Sequence, residues 1–298
     1  MIYVNDRALI LHFYNSIDGQ MVLGPAHILS SHRHFFNNSC SLDSENKCIL
    51  STAMYSDGSG TVSIVCRWHI DWDALKVVPV DQIELDGLRS LRYQLANNRL
   101  LYEIEGRLYC YEYGSTKKTK LPKFKSDVLC TAISSEMILY GLRNGQVFCQ
   151  RDVNTKAQCI GRLPYTLCRL YMFKDGKRWL ALTLDGWVRV YSGFHDVAEP
   201  RISFQVLENT HLLMDCKIHE EGSIIAIHRG SMIVVNCLRT GEKLVQFETN
   251  TRPGEQPGEE CSIGRNDWMF LDEKTIGMVS HQNRMVNLDV FAVGSTQH

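Results

Sequence analysis

Residues 140–157 read YGLRNGQVFCQRDVNTKA, and this pattern is the strongest indication of the fold. An apolar run is followed by Asn144-Gly145, then by a run in which apolar residues alternate, and then by a polar turn. Glycine in a two-residue turn supplies the positive φ that a tight hairpin requires. Alternation by two, with Val and Phe, is typical of a pleated strand. The segment therefore predicts a β-hairpin, and the next question is whether the hairpin is repeated.

The same unit recurs along most of the chain. Further copies are centred on Arg7, Gly60, Gly106, Gly186, Gly230 and Arg284. Their spacing is roughly forty to fifty residues, which is the repeat length of propeller blades. Further short apolar segments flank the copies, which gives four short strands per unit. An ordinary β-sandwich, which also has evenly spaced turns, is the alternative. The sequence predicts an all-β fold, a β-propeller of six or seven four-stranded blades, and does not choose between the two numbers.

The repeat covers nearly the whole chain, so we expect a single domain over residues 1–298 with incomplete blades at both termini. The first copy begins near residue 3, and the last ends near Phe291. Three explanations stay open: the ends complete one another, the chain is a natural partial product, or a longer form extends upstream of Met1. Residues near 250–265, rich in Pro, Gly and Glu, predict a flexible insertion.

Composition restricts the classes of partner. The formal net charge is -1, so no global field favours nucleic acid or an anionic membrane surface. No run approaches the ~20 apolar residues of a membrane-spanning helix, and the N-terminus lacks a basic leader. We therefore expect protein partners, no membrane association and no nucleic acid, in the cytoplasm, the nucleus or both.

The cysteines favour a reducing compartment. The chain has 11 of them, an odd number, and several lie inside apolar strand-like runs. Such thiols usually act as small buried hydrophobes. We expect every cysteine to be reduced, with four of them shielded in strands: Cys66, Cys110, Cys149 and Cys237.

Sequence motifs of catalysis and metal binding are absent. The chain has no nucleophile elbow, phosphate-binding loop, H-E-x-x-H segment or dinucleotide fingerprint. His32 and His34 lie near Cys40 and Cys48, but no C-x-x-C pair occurs and metal-ligand spacing is not met. We expect no metal, no cofactor, no catalytic residue and no small-molecule substrate.

The repeat resembles the WD40-repeat family in a strongly divergent form. Trp72-Asp73 is the only literal Trp-Asp pair, near the place where a third strand would end, and no Gly-His pair opens a repeat. The Phe-Arg-Arg-Gly motif of phosphoinositide-binding propellers is also absent, so lipid binding is set aside.

The resemblance implies a non-enzymatic scaffold that presents a propeller face to protein partners in a multi-protein complex. A narrower version is substrate recognition for a ubiquitin ligase, as in F-box proteins that carry such a ring. The alternative is a propeller enzyme, a hydrolase or lyase, that uses the central channel. The apolar inner-strand segments do not supply the ring of acidic or histidine residues that such an enzyme needs, so we expect no enzymatic activity. The identity of the partner and the pathway are not encoded in any motif.

The resemblance also implies where partners bind. In WD40 propellers the turns between second and third strands lie on one face, around the mouth of the channel. Here that face would gather five predicted binding residues: Glu105, Arg143, Asp185, Arg229 and Gln282. Arg143 and Arg229 are the strongest candidates, because arginine is enriched at binding hot spots and its planar fork pairs with carboxylate or phosphate. For any one of these residues, an ordinary solvated turn position is the alternative.

Overall fold

The structure is a computed structural model. It describes residues 2–5, 8–17, 20–31, 38–43, 48–56, 61–86, 94–96, 99–104, 106–112, 117–134, 136–164, 166–194, 199–206, 213–221, 223–229, 232–248, 268–272, 274–282 and 285–293. All 26 regular elements in these ranges are β-strands. Over the same ranges, no helix is long and apolar enough to cross a membrane. The chain divides into two compact units, Met1–Lys123 and Phe124–His298.

Unit 1 consists of three antiparallel sheets. The N-terminal sheet contains β1 (Ile2–Asn5), β2 (Ala8–Ile17) and β3 (Gln20–Ser31). Blade 1 contains β4 (Asn38–Asp43), β5 (Cys48–Ser56), β6 (Thr61–Asp71) and β7 (Lys76–Asp86). Blade 2 contains β8 (Gln94–Ala96), β9 (Arg99–Ile104), β10 (Arg107–Glu112) and β11 (Lys117–Lys120). Each sheet is a meander, in which strands adjacent in sequence are paired.

Unit 2 continues the same plan with three blades and a C-terminal sheet. Blade 3 contains β12 (Val128–Ile133), β13 (Ile138–Leu142), β14 (Gln146–Gln150) and β15 (Gln158–Arg162). Blade 4 contains β16 (Leu167–Met172), β17 (Arg178–Thr183), β18 (Trp187–Ser192) and β19 (Ile202–Gln205). Blade 5 contains β20 (Leu213–His219), β21 (Ile224–Arg229), β22 (Met232–Cys237) and β23 (Lys243–Glu248). The C-terminal sheet contains β24 (Trp268–Asp272), β25 (Thr275–Gln282) and β26 (Met285–Ala292).

The predicted number of blades is wrong. The described strands form five four-stranded blades, not six or seven, and the sheet at each end of the described chain has three strands. The repeated sequence pattern identifies hairpins, and a hairpin needs only two strands. It therefore does not distinguish a four-stranded blade from a three-stranded sheet. The prediction of a single domain over residues 1–298 stays a prediction, and the proposed insertion near 250–265 lies outside the described residues.

The turn glycines lie where the sequence predicts them. Gly145 connects β13 to β14, the second and third strands of blade 3. Gly106 and Gly186 occupy the same turn of blades 2 and 4, and the φ angles of Gly106, Gly145 and Gly186 are 71°, 84° and 82°. The turn assignment is confirmed at these three positions, whereas Gly60 and Gly230 lie outside the described residues.

Strand β17 of unit 2 is apolar on both faces because it lies between two neighbouring sheets. In β17, Trp179 and Ala181 belong to the core that blade 4 shares with blade 3. The alternating residues Leu180 and Leu182 pack on the other side, in a core that includes Ile225 of blade 5. A strand covered on both faces reads as a continuous apolar run, not as an alternating one.

The thiol predictions are confirmed only in part. None of the nine cysteines whose side chains the structure describes takes part in a disulfide. Cys110 and Cys149 are buried as predicted, but Cys66 and Cys237 are only partly buried. Cys66 lies on β6 with its Sγ 3.7 Å from Oε1 of the exposed Gln82. Cys237 is the last residue of β22, and Arg239 and Thr240 in the turn that follows are exposed.

Candidate binding surfaces

The Gly145 end of blades 3 and 4 is the end at which β13 passes into β14 and β17 into β18. In the first of these turns, the Gly145 N–H donates to the Leu142 carbonyl at 2.9 Å, and the Gln146 N–H donates to Asn144 Oδ1 at 3.1 Å. The Leu163 N–H donates to the Gly145 carbonyl at 2.9 Å. The turn and the segment that leads to blade 4 therefore form one hydrogen-bonded unit.

Arg143 is the exposed cation of this turn. Its Nε lies 3.1 Å from Oδ2 of Asp127, and the two side chains are 67% and 75% exposed. An ion pair this exposed contributes at most about 1 kcal/mol, so a partner carboxylate can compete for the guanidinium. Arg143 also lines a cavity of about 400 Å³ together with Asn144, Gly145, Arg162, Leu163, Pro164 and Thr166.

Asp185 is bound into its own turn. The Thr183 hydroxyl donates to Asp185 Oδ1 at 2.5 Å and also accepts from the Trp187 N–H at 3.2 Å. Gln205 Nε2 donates to the Asp185 carbonyl at 3.1 Å. These contacts give Asp185 a role in holding the β17–β18 turn, and its predicted role in binding stays a prediction.

The remaining predicted residues are placed by the backbone alone. Arg229 and Gln282 are the last residues of β21 and β25, each the second strand of its sheet. Their side chains are not among those described, and Glu105 lies outside the described residues altogether. Arg143 directly follows β13, and Asp185 lies shortly after the end of β17. Both strands are second strands, as the repeat predicts.

The sequence analysis missed a larger cavity at the opposite end of the same two blades. This Arg178 end is where β12 passes into β13 and β16 into β17. The cavity measures about 840 Å³, and its charged lining is contributed by both blades: Glu136, Arg151, Asp175, Lys177, Arg178 and Arg201. These residues belong to no sequence motif, because the positions come together only when blade 3 packs on blade 4.

Two thiols of unit 2 have opposite electrostatic environments. Burial raises the pKa of the Cys149 thiol to about 11, against a weaker opposing effect of the Arg151 charge. Partial burial also acts to raise the pKa of Cys237, but hydrogen bonds from Thr240 and Arg239, together with the Arg239 charge, bring it below the ordinary value. Cys149 is thus a packed core thiol, whereas Cys237 is the more readily ionised of the two.

Within the described ranges, no three His, Cys, Asp or Glu side chains converge on a position that would hold a metal ion. Of the sequence cluster His32, His34, Cys40 and Cys48, the described side chain is that of Cys48, which is buried; the other three lie outside the described side chains.

Comparison with solved structures identifies the fold. Hsv2 from Kluyveromyces marxianus superposes with a TM-score of 0.60 at 12% identity, over 99% of this chain and 95% of that one. Hsv2 from Kluyveromyces lactis gives 0.56 at 11% identity, over 96% and 94% of the two chains. The computationally designed protein Ika8 gives 0.51 at 12% identity, over 83% and 85%.

The fold of this chain is a β-propeller. At these identities the likeness shows the fold alone. No protein-family model matches the sequence, and no curated protein matches it. The relationship to WD40 repeats and to F-box proteins therefore stays a prediction.

Proposed function

We propose that this protein is a non-enzymatic interaction platform, which binds other proteins through the Gly145 end of its blades. The observation that carries the proposal is the β13–β14 turn, which is closed by its own hydrogen bonds and offers the exposed Arg143 guanidinium beside a cavity. Binding residues concentrate on loops that a rigid scaffold holds in place.

The composition of that cavity favours recognition over catalysis. A catalytic site needs a titratable side chain placed to transfer protons or attack a substrate. The described lining of the cavity contains two arginines, Arg143 and Arg162, and no carboxylate, histidine or thiol. Guanidinium groups pair with carboxylates in a planar, two-bond geometry. We therefore expect the partner to present an acidic side chain to this surface.

The narrower role, substrate recognition for a ubiquitin ligase, is a more specific form of the same proposal. Recovery of ubiquitin-ligase subunits with the parent protein would support it. We also propose that the protein works in the cytoplasm or the nucleus, which is in keeping with nine described cysteines that lie outside any disulfide.

A quantitative pull-down tests the platform directly. Arg143→Glu combined with Arg229→Glu reverses two charges of the proposed surface. We expect capture of the main partner from a cell extract to fall at least about tenfold, because truncating or reversing a hot-spot arginine costs more than ~1.4 kcal/mol. The melting temperature should stay nearly unchanged, since Arg143 makes only an exposed ion pair.

Arg239→Glu is the matched control for this experiment. Arg239 is also an exposed arginine in a turn, but it lies between β22 and β23, at the opposite end of blade 5. Capture by this variant should equal that of the parent. If the double variant retains every partner, or if Arg239→Glu loses the same partner, the Gly145 end is not the binding surface.

A further inference from the structure

The cavity at the Arg178 end lies between blades 3 and 4. Blade 3 contributes Met137, at the start of β13, and Arg151, just beyond the end of β14. Blade 4 contributes Lys177 and Arg178 around the start of β17, and Arg201 just before β19. Its volume of about 840 Å³ lies within the range of ~300–1,000 Å³ that is typical of ligand pockets.

The charges of this cavity are unevenly paired. Arg178 Nε lies 2.5 Å from Asp175 Oδ2, so these two charges largely neutralise one another. Arg151, Lys177 and Arg201 have no ion pair within the part of the chain that the structure describes, and all three are exposed. Among the described residues, three cations without an ion pair therefore share the lining with one remaining carboxylate, Glu136.

An apolar wall lies beside the cations. Met137 is buried and Phe194 is partly buried, and both pack on the core shared by blades 3 and 4. Gly176 and Gly193 also line the cavity, and a Cβ atom built on either would meet nothing within 4 Å. The cavity therefore has room for a side chain directly against the apolar wall.

The walls of the cavity are fixed before any ligand arrives. Trp179 Nε1 donates to the Gly193 carbonyl at 2.9 Å, and the Gly193 N–H donates to the Lys177 carbonyl at 2.8 Å. The Trp179 ring stacks on Tyr191 with centroids 4.2 Å apart. On the other wall, the buried Gln150 donates to two carbonyls of the loop that follows Arg151. A preformed site loses less conformational entropy on binding than a flexible one.

We propose that this cavity is a second protein-binding site, which takes an acidic peptide segment that also carries an apolar side chain. The carboxylates would pair with Arg151, Lys177 and Arg201, and the apolar side chain would pack on Met137 and Phe194. The inference rests on the proposed function only in that the partner is a protein, and it uses the opposite end of the blades.

A peptide fits this lining better than a compact phosphate ion does. The three cations come from three separate segments, whereas phosphate groups would concentrate their charge at one point. A polyphosphate would also lie near the carboxylates of Glu136 and Asp175 and would leave the apolar wall uncovered. An extended peptide can reach the separated cations and also cover the apolar wall, because its successive side chains point to opposite sides.

Fluorescence anisotropy with defined peptides tests the proposal. The probe is a fluorescein-labelled hexapeptide of alternating Glu and Leu, with a Gln-Leu and a Glu-Ser hexapeptide as controls. We expect the parent protein to bind the Glu-Leu probe with a Kd on the order of 100 µM or tighter at low salt. Both control peptides should bind at least about tenfold more weakly, because each lacks one of the two interactions. Added salt should weaken binding, because the charged groups are exposed.

Charge-reversal variants locate the bound peptide. Arg151→Glu with Arg201→Glu should weaken the Glu-Leu probe at least about tenfold, while Arg239→Glu, an exposed arginine of blade 5 that lines neither cavity, should bind it like the parent. If Arg151→Glu with Arg201→Glu lowers the melting temperature, Lys177→Gln provides a separate test. This variant should weaken binding of the Glu-Leu probe severalfold.

Three results would overturn the inference. They are the absence of saturable binding of the Glu-Leu probe, equal binding by the parent and the Arg151/Arg201 variant, and binding of inorganic tripolyphosphate in place of the peptide. None of them bears on partner capture through Arg143, so failure of the cavity and failure of the proposed function remain distinguishable.

Discussion

The two ends of blades 3 and 4 are built from the same strands but use their charges differently. At the Gly145 end, Arg143 pairs with Asp127, and Arg162 Nε donates to the Asn144 carbonyl at 2.9 Å. At the Arg178 end, the cavity is about twice as large, about 840 Å³ against about 400 Å³. There, Arg151 and two further cations have no ion pair within the described residues.

The two ends differ in charge pairing and cavity size because different connections join the strands there. The three-residue turn that ends in Gly145 brings β13 and β14 close together and uses nearby polar groups in its own hydrogen bonds. The longer connections at the other end leave a gap between adjacent blades, and the residues around the gap stay solvated. A tight turn can therefore present one anchoring side chain, whereas the inter-blade gap can accept a whole segment.

The largest expected effect compares backbone strain at the two ends. Gly145→Val places a β-branched residue at a φ of 84° at a buried position, so we expect a loss of about 3 kcal/mol in the free energy of unfolding. Gly176→Val, at a φ of 62° with open space around its Cβ, should cost about half as much. Urea denaturation of both variants measures the two values. Equal losses would mean that the Gly145 turn is not packed as described.

Thiol labelling compares the packing beneath the cavity with an exposed strand. Cys149 is buried, its Sγ lies 3.0 Å from Met137 Sδ, and its pKa is about 11. Cys159 of β15 is exposed. In the native protein at pH 8 we expect Cys159 to react with a maleimide at least about a hundredfold faster, because the thiolate is the reactive form and must be accessible. Mass spectrometry of labelled peptides measures the ratio, and rapid native labelling of Cys149 would contradict the described core.

The smallest expected effect compares the two ion pairs. Partial burial acts to raise the pKa of Asp175, but hydrogen bonds from Arg178 and from the Lys177 and Arg178 N–H groups, with the Arg178 charge, hold it below its usual value. A carboxyl whose pKa is lowered on folding stabilises the protein above its unfolded pKa of about 3.9, and this contribution is lost as the pH falls through the folded pKa.

Asp175→Asn should therefore lower the melting temperature slightly at pH 7, and this effect should shrink as the pH falls below about 3.9. Asp127→Asn is the matched variant at the Gly145 end, and its more exposed pair should change the melting temperature less. Thermal unfolding of both variants between pH 3 and pH 7 provides the test. A difference for Asp175→Asn that persists unchanged at acidic pH would exclude the carboxylate as its cause.

Local sequence patterns predicted the strands and turns because glycine at positive φ and alternation by two are local requirements. Gly106, Gly145 and Gly186 all occupy the predicted turn for that reason. The number of four-stranded blades was not predictable from these patterns, because a repeated hairpin does not specify how many strands flank it.

The cavity was also beyond sequence reasoning. Arg151 and Arg201 are fifty residues apart and become neighbours only through the packing of blade 3 on blade 4. For the predicted site residues, the sequence indicated the position in the fold but not the contacts of the side chain. The pattern placed Asp185 in a turn, but it gave no sign that the Thr183 hydroxyl engages its carboxylate.

Site-specific photocrosslinking tests the central claim, that the Gly145 end binds a protein partner, most directly. A photoreactive phenylalanine replaces the exposed Pro164, which lines the cavity beside Arg143, or the exposed Thr240 in the β22–β23 turn of blade 5. Each protein is irradiated with the partner that the parent captures, and the products are separated by mass. We predict a crosslinked adduct from position 164 and none from position 240. An adduct from position 240 alone would contradict the proposed function.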